Sequence, residues 1–128
     1  MNKRVLAIED HEENRRIVGY LLASAGIEMI EAVTGEGGIA AAEKERPDLI
    51  LMDIQLPGLD GYEATRRIKA NPALRHIPII VVTSYALSGD DVKAFEAGCD
   101  AYVTKPFVPR ELLAKIREYL AKPAEGSA

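Results

Sequence analysis

Four places in the chain carry side chains with chemistry to offer: Glu9-Asp10, Asp53, Thr83-Ser84 and Lys105-Pro106. Each closes a short apolar run rich in β-branched residues, so each falls where a strand ends and a loop begins. Carboxylates brought together raise one another's pKa unless a cation sits among them. The Lys105 ammonium offsets part of that charge. An oxygen-only ligand set of two carboxylates, a carbonyl and retained waters suits octahedral Mg²⁺. Mg²⁺ and Lys105 together would neutralise a phosphoryl group while an aspartate oxygen acts as the nucleophile, the role carboxylates play in aspartyl-phosphate formation. Taken singly, these residues have plainer roles, since an Asp after a buried strand is ordinarily an N-cap or turn residue and Lys-Pro is ordinarily a turn. Their joint occurrence at four strand ends points to chemistry.

The elements that must position them alternate along the whole chain. Strands are predicted at residues 5–8, 28–33, 49–52, 79–83 and 101–104, mostly as continuous apolar runs, the pattern of a sheet covered on both faces. Ile17, Val18, Leu21, Leu22 and Ala25 form the apolar stripe of a first helix that Gly26 closes. A second helix follows Thr34 over residues 36–45, its first turn loosened by Gly37 and Gly38. A third spans residues 62–70 and stops before Asn71-Pro72. Ser88-Gly89-Asp90-Asp91 reads as the capped start of a fourth, with Gly98 at its end. Pro109 opens the fifth, whose stripe is Leu112, Leu113, Ile116, Tyr119 and Leu120. Five βα units imply right-handed crossovers and one doubly wound α/β domain, with helices on both faces of a single parallel sheet. Its ligand site is expected at the carboxyl ends of the strands. The domain is expected to occupy residues 1–122, followed by a polar tail at 123–128.

Composition narrows the function further. A chain of 128 residues, 48% hydrophobic and 28% charged, makes one domain that buries roughly two thirds of its unfolded surface. Cys99 is the only cysteine, which excludes an intrachain disulfide and any cysteine-based zinc or iron–sulfur site and agrees with a reducing, cytoplasmic setting. Sixteen Lys+Arg against twenty Asp+Glu give a net charge of −4, which opposes direct nucleic-acid binding. No apolar run approaches the ~20 residues of a membrane span, and the amino terminus is not a signal peptide. His11 and His76 read as solvated residues outside the candidate metal ligands. Gly35-Glu36-Gly37-Gly38 lacks the spacing and the Lys-Ser/Thr ending of a phosphate loop.

Glu9-Asp10, the segment from Leu51 through Asp53, Pro57 and Gly58 to Gly61, Thr83-Ser84 and Lys105-Pro106-Phe107 together resemble the signature of the response-regulator receiver family, CheY-like domains. The resemblance spans residues 3–121 and implies the doubly wound (βα)5 flavodoxin-like fold, its five parallel strands in the order 2-1-3-4-5. Asp53-Ile54-Gln55-Leu56-Pro57, with Arg75-His76-Ile77-Pro78 and Gly98-Cys99, is similar to single-domain regulators of the DivK type and to receivers of hybrid kinases. The resemblance implies that Asp53 accepts the phosphoryl group, and that Asp10, Asp53 and the Gln55 backbone carbonyl ligate Mg²⁺, with Glu9 acting through water and Mn²⁺ able to substitute. It implies that Thr83 bonds the phosphoryl group, that Lys105 pairs with it, and that the Lys105–Pro106 peptide is cis. Thr83 and Tyr102 then form the switch, and Ser84 stands where alanine is more frequent.

The implied partners are a histidine kinase or histidine phosphotransfer protein, met by the first-helix face near Asn14, Arg15 and Val18. A downstream protein target would be met by helix four, strand five and helix five. Nucleic acid and membrane are not expected as partners, and the expected state is a monomer or weak dimer. The protein would catalyse its own modification and slow autodephosphorylation without turning over a separate substrate, so it is not expected to be an enzyme in the ordinary sense. An aspartate-nucleophile phosphohydrolase would want a second acid where Gln55 stands. A flavin carrier would want a hydroxyl-rich phosphate loop where Glu9-Asp10-His11-Glu12-Glu13 stands. A degenerate receiver that binds partners without phosphorylation is the remaining alternative.

Overall fold

The computed structural model describes residues 3–83 and 90–121. Ser84, the Ser88-Gly89 cap and the tail at 123–128 lie outside the described residues. The strands are β1 (Arg4–Ile8), β2 (Glu28–Ala32), β3 (Leu49–Met52), β4 (Ile79–Thr83) and β5 (Ala101–Thr104). The helices are α1 (Glu12–Ser24), α2 (Gly35–Glu45), α3 (Gly61–Ala70), α4 (Asp90–Ala97) and α5 (Pro109–Ala121). All neighbouring strands are parallel, in the order β2-β1-β3-β4-β5. This is the doubly wound, flavodoxin-like architecture expected from the sequence.

The continuous apolar runs split by strand period into two cores. Leu6, Ile8, Ile50, Met52, Ile79 and Val81 point to one face, where Ala42 of α2, Ala64 and Ile68 of α3 and Ala94 of α4 cover them. Val5, Ala7, Leu49, Leu51, Ile80 and Val82 point to the other, under Val18 and Leu22 of α1 and Leu112 and Ile116 of α5. Each fully buried Leu or Ile contributes about 1.5–3 kcal/mol of transfer free energy. The two-sided burial explains why the strands show no in/out alternation.

Element ends differ slightly from the sequence pattern. β2 stops at Ala32 rather than Val33, because β1 pairing ends at Ile8–Ala32 and Val33 is left 49% exposed. α2 and α3 each begin one residue earlier than predicted, at Gly35 and Gly61. The first turn of α2 is held rather than loose: the Thr34 hydroxyl accepts from Gly37 N at 2.9 Å. Gly38 is there for packing, since a Cβ would collide with the Ile8 side chain on β1. α3 is capped by Asp60, whose carboxylate accepts from Glu63 N at 2.9 Å. Among the described residues no helix is long and apolar enough to cross a membrane.

Candidate functional site

The carboxyl ends of β1, β3, β4 and β5 meet at one edge, and the predicted groups meet with them. Where β1 ends, the chain turns into α1 through Glu9, Asp10 and His11, with Glu12 and Glu13 following on the positive end of the helix dipole. Asp53 follows β3 and stays tied to the sheet, its N–H donating to Ile8 O at 3.0 Å. Its Oδ1 accepts from Gln55 N at 3.2 Å, the local side-chain turn that short polar residues make after a strand. Gly61 lets α3 start against this loop, because a Cβ there would collide with the Asp53 carbonyl and lie 2.7 Å from Ile54 Cα. Thr83 is fully buried at the end of β4, and its carbonyl accepts from Lys105 N at 2.7 Å. The Lys105–Pro106 peptide is cis, as the resemblance implies.

Lys105 reaches across the edge to the acids. Its Nζ lies 2.5 Å from Glu9 Oε1 and 3.7 Å from Asp53 Oδ2. Both acids are almost wholly buried, Glu9 at 7% and Asp53 at 5% exposure. Burial pushes the Asp53 carboxyl up to about 6, against the Lys105 charge and with the help of Glu9. Burial would raise Glu9 as well, but the hydrogen bond and charge of Lys105, together with the His11 backbone N–H, hold it down at about 2. The nearer ammonium decides which carboxyl keeps its proton longer.

One carboxylate oxygen is left over. Asp10 Oδ1 is buried and has no hydrogen-bond partner among the described residues, although His11 Nδ1 lies 3.2 Å away outside hydrogen-bond geometry. One ligand atom each from Glu9, Asp10, His11 and Asp53 lie within 4.8 Å of one another. A buried carboxylate oxygen without a hydrogen bond, beside two further carboxylates, fits a hard divalent cation, and the oxygen-rich donors favour Mg²⁺.

His11 corrects the sequence reading. It is the solvated helix-start residue expected, but its Nδ1 also lies 3.2 Å from Glu9 Oε2, inside the acidic cluster from which it had been excluded. Its place directly after Glu9-Asp10 was the available signal. His76 is exposed and has no part in that cluster.

A cleft of about 590 Å³ opens beside Asp53, with His11, Asn14 and Ile17 on one side and Gln55, Lys105 and Phe107 among its other lining residues. Phe107 was legible only as part of a motif; the turn through the cis proline brings it here. The expected kinase-facing surface also needs correction. Val18 is buried in the core and Arg15 is only 16% exposed, both drawn inward by the way α1 packs on the sheet. Ile17, 48% exposed at the cleft, and Tyr20, 72% exposed, are the large apolar residues that α1 presents to solvent.

Tyr102 on β5 is half-buried and packs against the cluster that contains Val81, Ala94 and Cys99. That places it one strand away from Thr83, in the sheet register Val81–Tyr102. Cys99 is buried, and burial with the Asp100 charge pushes its thiol up to about 11, so it is a packed and unreactive residue.

Comparison with known proteins agrees with this geometry. The model of the response regulator receiver domain matches residues 5–117. The polar-differentiation response regulator DivK of Brucella anthropi is 41% identical over 120 residues, covering 94% of this chain and 98% of that protein. A crystal structure of a putative response regulator from Chloroflexus aurantiacus superposes with a TM-score of 0.91 at 30% identity, covering 95% of this chain and 100% of that one. The receiver domain of a Pseudomonas aeruginosa sensor histidine kinase, solved with magnesium coordinated in its active-site cleft, gives a TM-score of 0.88 at 36% identity over 95% and 100% of the two chains. With the domain match running through every strand end that carries an acid, a hydroxyl or the ammonium, the chain belongs to the response-regulator receiver family.

Proposed function

We propose that the protein is a phosphoacceptor of two-component signalling, of the DivK-like kind, and that Asp53 takes a phosphoryl group from a phosphohistidine of a histidine kinase or phosphotransfer protein. The observation that carries this reading is the placement of Asp53: a buried carboxylate beside Lys105, near an Asp10 carboxylate whose buried Oδ1 has no hydrogen bond, and open to a cleft on one side. An Asp53 oxygen attacks the phosphorus and the phosphorus–nitrogen bond of the donor breaks, its electron pair going to the ring nitrogen; a proton carried on the other nitrogen of the donor's ring leaves the imidazole neutral. Lys105 moves its ammonium from Glu9 towards the transferred oxygens, and the Thr83 hydroxyl donates to one of them. Asp10, Asp53 and the Gln55 carbonyl would hold Mg²⁺, or Mn²⁺ in its place, and Glu9 would act on it through water. When bound, that ion supplies positive charge against the carboxylates and the phosphoryl oxygens.

Water attacking the same phosphorus breaks its bond to the Asp53 oxygen, releases inorganic phosphate and slowly returns the carboxylate. No separate substrate is turned over, so the protein acts as a switch rather than as an enzyme. The donor meets the cleft at Asn14 and Ile17, and a downstream protein meets the face of α4, β5 and α5. The cytoplasm is the compartment where such a donor works.

Incubation with acetyl phosphate and Mg²⁺ tests the chemistry: intact-mass measurement should show one acid-stable, base-labile phosphoryl group. The label should be absent from Asp53→Asn and from chelated samples, because an amide is a poor nucleophile and a weak metal ligand. Undiminished labelling of Asp53→Asn would remove Asp53 from the role.

A further inference from the structure

Two arginines stand side by side in α1 and are used differently. Arg16 lies on the surface, its side chain 61% exposed and 3.4 Å from Glu12. Arg15 is drawn in to two acceptors: its Nη1 donates to the backbone carbonyl of Glu9 at 2.8 Å, and its Nε donates to Glu31 Oε1 on β2 at 3.2 Å. The Glu9 carbonyl lies just beyond the sheet ladder, since β1 last pairs at Ile8, whose carbonyl accepts from Asp53 N, and Glu9 uses its N–H on Ala32 O. Arg15 therefore satisfies the first carbonyl that the sheet leaves over. That carbonyl belongs to the peptide joining Glu9 to Asp10. The orientation of this peptide sets ψ of Glu9 and φ of Asp10, the two dihedrals that relate their carboxylates.

We propose that Arg15 is a positioning residue of the acidic site: held by Glu31, it fixes the Glu9-Asp10 peptide so that both carboxylates face one cation together with Asp53. This rests on the reading of the cluster as a Mg²⁺ site and adds a support that neither arginine's sequence position discloses. A guanidinium suits the task because its planar fork serves two acceptors in fixed directions, which an ammonium does not.

The experiment compares Arg15→Ala, Arg15→Lys, Glu31→Gln and Arg16→Ala by Mg²⁺ titration without any phosphodonor, with urea unfolding and backbone NMR recorded on the metal-free proteins. Arg15→Ala should bind Mg²⁺ about tenfold more weakly, the usual size of an outer-shell loss. This runs against simple electrostatics, because deleting a cation favours binding of a dication. Arg16→Ala removes the same charge and should leave the affinity equal or slightly higher. Glu31→Gln, an exposed change that preserves the fold, should fall between, and Arg15→Lys should rescue only in part. The amide signals of residues 9–11 should broaden in Arg15→Ala before metal is added. Equal Mg²⁺ affinity in Arg15→Ala and Arg16→Ala would overturn the proposal, and so would a loss of stability with full affinity in the folded protein. A wild-type protein that binds no Mg²⁺ would overturn the metal reading and this inference together.

Discussion

Glu9 and Asp53 are buried side by side yet are pushed in opposite directions, because the Lys105 ammonium lies 2.5 Å from one and 3.7 Å from the other. The Asp53 carboxyl, raised from 3.8 to about 6, costs the fold stability once it ionises. That penalty is absent below its ordinary value, grows as pH rises through about 6 and is full above it. Asp53→Asn should therefore stabilise the metal-free protein by about 1–3 kcal/mol at about pH 7.5 and by almost nothing at about pH 3. Urea unfolding in chelator at the two pH values checks this, and an equal gain at both would contradict it. Glu9 has the opposite sign: its contribution is present above its ordinary 4.5 and is lost as pH falls towards about 2. The same geometry orders the metal ligands. Asp10 Oδ1 has no hydrogen bond to give up, whereas Glu9 is engaged by Lys105 and by the His11 N–H. Mg²⁺ titration should show the larger loss in Asp10→Asn and the smaller in Glu9→Gln.

At the level of elements, the site depends on how closely α3 and α2 approach the strand ends. Gly61 begins α3 directly against the Asp53 peptide, with Ile54 Cα 2.7 Å from where a Cβ would stand. Gly61→Ala forces that loop to move and should cost about 1–3 kcal/mol, the usual penalty of overpacking a tight contact. The loop that moves carries Asp53 and Gln55, so phosphorylation by acetyl phosphate should slow as well. A variant that lost stability but kept its full phosphorylation rate would separate the helix start from the site. Elsewhere, α4 exposes Val92 at 55% and Phe95 at 52%, three residues apart and so on one face of the helix. A second cavity of about 270 Å³ lies between β5 and α5, with Tyr102, Phe107 and Lys115 among its lining residues. Exposed apolar residues of this size are the material from which a protein-binding face would be built on the proposed output side.

For the molecule as a whole, phosphorylation of Asp53 adds roughly −1.5 to −2 charge at an edge shared by four strands. Thr83 and Tyr102 sit on adjacent strands, β4 and β5, so a Thr83 hydroxyl drawn to a phosphoryl group on Asp53 would change the space beside the Tyr102 ring. The shift in state is worth only the difference in what the two states offer the phosphate. Backbone NMR on phosphorylation should therefore show changes that run from the Asp53 loop through Tyr102 into α4 and α5. In Thr83→Ala the label should still go on, while the changes beyond the loop should shrink. Changes confined to the Asp53 loop in the wild-type protein would sink this route of output.

Much of this was legible in residue order alone. Strand period and helix stripes depend on neighbours in sequence, so the ten elements, the parallel sheet and the placement of Glu9, Asp10, Asp53, Thr83 and Lys105 at strand ends followed from local pattern and from the crossover rule, while the strand order came from the family resemblance. Element ends shifted by a residue where pairing, not propensity, decided them, as at Val33. What only the tertiary structure decided is which long side chain reaches which partner. Lys105 chooses Glu9 over Asp53. His11 turns back into the acidic cluster. Arg15 turns inward to Glu9 and Glu31 while Arg16 stays in water. Residues 96 positions apart in sequence meet in the first of these pairs. Their contact is a matter of rotamers, burial and competing charges at a shared edge, and none of these is written in the spacing of residues along one chain.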